Sequence, residues 1–227
     1  MAANSLVDQS SAYGQYCEAI FELREDDVEV IQARIAERMG VSRPAVSEMV
    51  RRLEADQLIT VDGAIELTDR GEQLAQSVVR RHRLAERMLT DILGMSWAEA
   101  HEEASNWERV ISPAVEKALV RVLNSPTTCP HGNPIPGAGY RQPETVALGD
   151  LAPNEQFEVD RVPEELEFTP GLLEYLEASH LTPGRLGTVT AKSPDGAITV
   201  SMEGHYAGVG DFAASRILVK RAGTAAR

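Results

Sequence analysis

The chain has 227 residues, 43% hydrophobic and 25% charged, enough to bury one large core or two small ones and too ordinary for wholesale disorder. Its two cysteines, Cys17 and Cys129, exclude a disulfide framework and a cysteine-built zinc site; no stretch approaches the ~20 apolar residues of a membrane helix, and the N-terminus lacks signal-peptide order, so a cytoplasmic protein without membrane contact is expected. The net charge of −13 argues against a polyanionic partner until it is divided along the chain: residues 34–87 hold ten Arg against nine acids, whereas residues 150–180 hold nine acids and one base, Arg161.

Tyr13, Tyr16, Cys17, Ile20 and Phe21 recur at helical intervals and mark a first helix. Ile31, Ala33, Ile35 and Ala36 predict a second, stopped at Met39-Gly40, where glycine permits a left-handed backbone. Ser42 caps a third helix with Pro44 in its first turn, and Val46, Met49, Val50 and Leu53 give it a buried face. LITV and AIEL around Asp62-Gly63 read as a two-residue hairpin whose central residues both take positive φ. Helix, turn, helix and hairpin between Val30 and Leu67 make a winged helix-turn-helix pattern, although a helical packing unit without a DNA role fits the same spacing.

On the third helix, the residues placed to meet base edges are Ser42, Arg43, Pro44, Ala45, Ser47 and Glu48. Arg43 suits guanine O6 and N7, Pro44 and Ala45 a thymine methyl, and Glu48 the cytosine amino group. Arg51, Arg52, Arg34 and Arg38 suit phosphates, each alone being equally well read as a solvated surface residue.

Leu74, Val78, Leu84 and Leu89, and later Val115, Leu119 and Val122, predict further helices. His82 and Glu86 stand four apart on one helix; His101, Ser105 and Glu108 fall on one face of another. Two imidazoles with carboxylates suit Fe²⁺, Mn²⁺, Co²⁺, Ni²⁺ or Zn²⁺, and the plainer alternative is a pair of surface hydrogen bonds. The stretch from Val122 to Tyr140 has no Asp, Glu, Lys or Arg and is rich in Pro and Gly, so it reads as a connector, with Cys129-Pro130-His131 as a loop held by prolines. Beyond it, RLGTVTA and AITVSM flank SPDG in the manner of a hairpin in a small β domain. The fold class is α+β. No G-x-S-x-G, P-loop or H-E-x-x-H pattern is present, so no enzyme is expected.

The segments ELREDDV, ARIAERM, SRPAVSEMVRRLE, RRHRLAERMLTDILG, HEEASNWERV and GNPIPG resemble the diphtheria toxin repressor and iron-dependent regulator family of metal-dependent repressors over about the first 137 residues. The resemblance implies an N-terminal winged helix over 1–72, a helical dimerisation and metal-binding domain over 73–140, a linker at 141–148 and an SH3-like β-barrel over 149–227. It implies a homodimer on a palindromic double-stranded DNA operator, activated by Fe²⁺ or Mn²⁺. The family's ancillary metal site maps onto His82, Glu86 and His101, with Glu164 and Glu167 as its ligands from the SH3-like domain. Its anion-binding positions map onto Arg83, Cys129 and Asn133. Its primary metal site maps onto Gln15, Ser105, Glu108 and Arg109, an altered set, because an Arg guanidinium cannot bind metal. Glu18, one turn after Gln15, reads as a solvated glutamate or as a carboxylate ligand of the kind manganese-preferring relatives use.

Two consequences follow from the altered set. Metal is sensed through the His82, Glu86 and His101 site alone, or Arg109 pairs with Glu108 and replaces the cation, leaving a metal-independent regulator, and the two are compatible at the level of the sites. A metal-binding dimer with vestigial DNA contact is the reading from another class.

Overall fold

The computed structural model describes residues 2–222, with side chains described from residue 12 onward. The chain divides into two compact units, one of residues 1–82 with 105–116, the other of residues 83–104 with 117–227.

In the first unit, α1 (Ala2–Glu25) is followed by α2 (Gln32–Met39) and α3 (Arg43–Ala55). Gly40 ends α2 in the left-handed conformation, φ 63°, and its N–H returns to the Ala36 and Glu37 carbonyls, so the helix stops where the sequence places its stop. Ser42 Oγ accepts from the Ala45 N–H at 3.4 Å and opens α3, with Pro44 in the first turn. β1 (Ile59–Asp62) and β2 (Ala64–Leu67) form the wing. Its tip differs from the expected two-residue turn: Val61 pairs with Ile65 and Asp62 with Ala64, and only Gly63 of that tip has positive φ. Asp62 stays extended and remains in the ladder, so glycine alone carries the reversal.

Tyr16, Ile20, Ile35, Val46, Leu53, Ile59 and Ile65 interlock as the core of this unit, each large aliphatic contributing about 1.5–3 kcal/mol by leaving water. Arg38, expected to suit a phosphate, is instead buried against Glu22 at 3.0 Å and fastens α2 to α1. A charge so placed is unavailable to DNA, and removing either partner strands the other at a cost of about 3–5 kcal/mol.

The long helix α4 (Asp69–Asp91) begins against the wing, where Thr68 Oγ1 accepts from the Gly71 N–H. Then come α5 (Trp97–Trp107) and α6 (Pro113–Val122). In the second unit, β3 (Val146–Ala147), β4 (Gln156–Arg161), β5 (Leu186–Lys192), β6 (Ile198–Met202), β7 (His205–Val209) and β8 (Leu218–Arg221) make one antiparallel sheet in the order β3-β8-β4-β5-β6-β7. Short helices α7 (Glu164–Glu167), α8 (Leu172–Ala178) and α9 (Asp211–Ala214) lie between strands. Phe157, Val159, Leu166, Leu176, Val200, Met202 and Val219 form its core together with Trp97 of α5. Gly187 is required there, since a Cβ would meet Phe157 Cζ at 2.5 Å. The Tyr175 hydroxyl of α8 donates to the Gly208 carbonyl at 2.7 Å and accepts from its N–H at 3.0 Å, capping the edge strand β7.

Candidate metal centre and nucleic-acid interface

Four chain segments of the second unit converge on one buried cluster. α4 supplies Glu86, α5 His101, the connector His131 and α7 Glu167. His101 Nδ1 lies 3.0 Å from Glu86 Oε1 and 3.0 Å from Glu167 Oε2. His131 Nδ1 lies 2.9 Å from Glu167 Oε2 and 3.6 Å from Glu86 Oε1, and Cys129 Sγ lies 3.8 Å from the same nitrogen. The Asn133 amide donates to Glu167 Oε1 at 2.6 Å and to the Val162 carbonyl at 3.1 Å, which turns the other carboxylate oxygen toward the imidazoles.

The donor set fits a first-row divalent cation. Nitrogen and oxygen ligands at about 2.0–2.2 Å from a common centre stand about 3 Å from one another, the spacing found here. Glu167 Oε2 is buried and faces both Nδ1 atoms, at 3.0 and 2.9 Å.

Burial pushes His101 and His131 toward the neutral form, but Glu167 and Glu86 outweigh it and raise both above the ordinary imidazole value. Burial opposes ionisation of Glu167, and the charge of His131 with the His101 contact holds it below the usual carboxylate range. Burial, reinforced by Glu86 and Glu167, pushes the Cys129 thiol well up, so it is a neutral thiol. Occupation by a cation requires both imidazoles to shed their protons.

Glu86, His101 and Glu167 meet in this cluster, together with His131, which no helical spacing singles out. Residues 129–133 are buried although the connector reads as a loop. Gly132 makes this possible: its φ is +92°, and a Cβ there would lie 2.3 Å from the Asp160 carbonyl. The Val162 N–H then bonds the His131 carbonyl at 2.8 Å and fixes the ring, whose face meets Trp97 edge-on at 4.6 Å.

Glu164 is shared. Its Oε2 accepts from Arg83 Nη2 at 3.1 Å, while a carboxylate oxygen stays within 4.8 Å of a His101 ring nitrogen. The expected anion-binding residues Arg83 and Asn133 have partners within the chain. Arg83 is taken up by Glu164 and the Pro134 carbonyl, and Asn133 by Glu167, Val162 and Arg161.

His82, which the resemblance puts with Glu86 and His101, has its Nδ1 2.8 Å from Glu108 Oε2, and Glu18, His82 and Glu108 gather ligand atoms within 4.8 Å of one another. The expected Arg109–Glu108 pair is not formed: Arg109 is exposed, and Glu108 meets His82. Successive residues at a helix end diverge by about 100°, so burying Glu108 turns Arg109 outward. Gln15 and Ser105 are half-buried.

On α3, Arg43, Pro44, Ala45, Glu48, Arg51 and Arg52 are exposed opposite the buried Val46, Val50 and Leu53. Ser47 Oγ accepts from Arg51 at 3.3 Å, Arg52 pairs with Glu48, and Arg34 of α2 pairs with Glu37 at 3.0 Å.

Known families match the chain in three stretches. Residues 9–64 match the family model of the iron-dependent repressor N-terminal DNA-binding domain, 68–137 that of the iron-dependent repressor metal-binding and dimerisation domain, and 146–221 the FeoA domain. The iron-dependent repressor IdeR of Mycobacterium tuberculosis is 40% identical over 215 residues, 89% of this chain and 92% of that protein. The diphtheria toxin repressor of Corynebacterium diphtheriae is 48% identical over 124 residues, 54% of this chain and 55% of its own. A manganese-dependent transcriptional repressor solved with manganese superposes with a TM-score of 0.82 at 30% identity, over 92% of this chain and all of that one.

Proposed function

The chain belongs to the iron-dependent repressor family of metal-dependent transcriptional repressors, and from that premise we propose that it is a repressor responding to Fe²⁺ or Mn²⁺, binding a palindromic DNA operator as a cytoplasmic homodimer. The convergence of Glu86, His101, His131 and Glu167 carries this reading. Their chemistry, two imidazoles with two carboxylates, suits either ion, and Co²⁺, Ni²⁺ or Zn²⁺ as substitutes. A divalent cation there would supply the positive charge that protons on the imidazoles supply in its absence.

The residues do the positioning. Asn133 orients Glu167, the Val162 N–H anchors the His131 carbonyl, and Arg83 holds Glu164 at the rim. Occupation would tie α7 and the connector to the segments bearing Glu86 and His101. In the first unit, Glu108 is what remains of the altered primary site, with Gln15 and Ser105 as weak oxygen donors and Arg109 turned outward; Glu18 and the ancillary-site ligand His82 gather beside Glu108. DNA is met by Ser42, Arg43, Pro44, Ala45, Ser47 and Glu48 in the groove, and by Arg34, Arg51 and Arg52 at phosphates. We retain the division into domains at residues 1–72, 73–140 and 149–227 around a linker at 141–148.

A gel shift on a palindromic promoter fragment tests the proposal. Wild-type protein is expected to bind with Mn²⁺ or Fe²⁺ and to lose at least tenfold in affinity in chelator, and His131→Ala to need at least tenfold more metal. Equal wild-type binding in chelator would overturn the metal-responsive reading.

A further inference from the structure

Pro44, Glu48 and Arg52 succeed one another at four-residue intervals on the exposed face of α3, with Val46, Val50 and Leu53 packed on the opposite face. The middle one is an acid, an odd residue to present to a polyanion. Its side chain is 62% exposed and bonded to Arg52, itself 50% exposed. The next hydroxyl on the helix, Ser47, is likewise engaged by Arg51 at 3.3 Å. Both carboxylate oxygens are acceptors, and the arginine offsets their charge while restricting their rotation.

We infer that Glu48, oriented by Arg52, selects one base pair in each half-site, a C·G pair read through the cytosine amino group. The inference rests on the DNA-binding reading above and specifies it. The cytosine N4 amino group is a lone donor in the major groove, matched to a carboxylate. Guanine O6 and N7 and thymine O4 are acceptors that repel it. Adenine offers N6 as a donor but sets the N7 acceptor beside it, so a carboxylate satisfies one edge atom and opposes the other, whereas a neutral amide satisfies both. Glu48 thus favours cytosine by attraction and disfavours the other three bases by repulsion. Arg52 is the positioning residue.

The test is selection from a randomised duplex DNA pool by the full chain with Mn²⁺, using wild type, Glu48→Gln, Glu48→Ala and Arg52→Ala, each checked for an unchanged melting temperature. Wild type is expected to enrich a symmetric motif with cytosine at one position per half-site, preferred roughly tenfold. Glu48→Gln should convert that position to adenine, Glu48→Ala should make it indifferent, and all other positions should stay as they were. Arg52→Ala should keep cytosine but weaken the preference about threefold; an unaltered preference would overturn the part given to Arg52. A wild-type motif that Glu48→Gln leaves unchanged overturns this inference alone. A wild-type pool with no motif overturns the operator reading and this one with it.

Discussion

His131 and Gly132 act as one device. The histidine reaches the cluster only because its neighbour accepts φ +92° and packs its bare Cα against the Asp160 carbonyl. Gly132→Ala adds both a forbidden conformation and a 2.3 Å contact, so it should lower unfolding stability by about 2 kcal/mol or more in urea titration and weaken metal binding in parallel. A variant of native stability would show that the loop tolerates a side chain. Helical spacing made Glu86 and His101 visible, because four-residue intervals have one geometric meaning. His131 had no such periodicity to betray it. Its signal was the absence of charge from Val122 to Tyr140, which a solvated loop does not need and a buried one does. Arg38 erred in the opposite sense: a surface-like residue type in a helix carries no mark of the acid that buries it, here Glu22 from another helix.

Elements were legible where local chemistry decides them. Gly40, Ser42 and Pro44 fix the helix-turn-helix through caps, and the structure follows them. The wing was found from Asp62-Gly63, but its register was not, since the ladder extends to Asp62↔Ala64 and leaves glycine alone at the tip. The junction from wing to α4 is tighter than any sequence pattern announces: a Cβ on Gly71 would stand 2.0 Å from the Leu58 carbonyl. Gly71→Ala therefore pushes the first turn of α4 away from the hairpin. The expected result is a melting temperature lower by several degrees and DNA affinity reduced at saturating metal, measured by calorimetry and gel shift. Retained affinity would mean the wing does not depend on this seat.

For the whole molecule, candidate metal ligands gather around Glu18, His82 and Glu108 in one unit and around Glu86, His101, His131 and Glu167 in the other. Calorimetric titration with Mn²⁺ should find about two ions per chain, one per cluster. Glu18→Ala and His101→Ala should each remove one, and the double variant both; one ion in the wild type, lost only with His101→Ala, would leave the first cluster a set of hydrogen bonds. The charge balance also sorts by place. The acid excess of residues 150–180 lies in the second unit and the reading helix in the first, so an overall −13 was a poor guide to the surface offered to DNA. The pairing of Glu164 with Arg83 was illegible for a related reason, since only the fold reveals which carboxylates are internal.

The tyrosine at the end of the six-stranded sheet has a bearing on storage and expression. An open edge strand offers unpaired main-chain groups to any other extended chain, the first step toward fibrils and tangled oligomers. Tyr175 occupies both the N–H and the carbonyl of Gly208 with one hydroxyl, so a stranger's backbone would have to evict a side chain before it could zip on. One phenol thereby withholds two main-chain groups of the edge strand from any other extended chain.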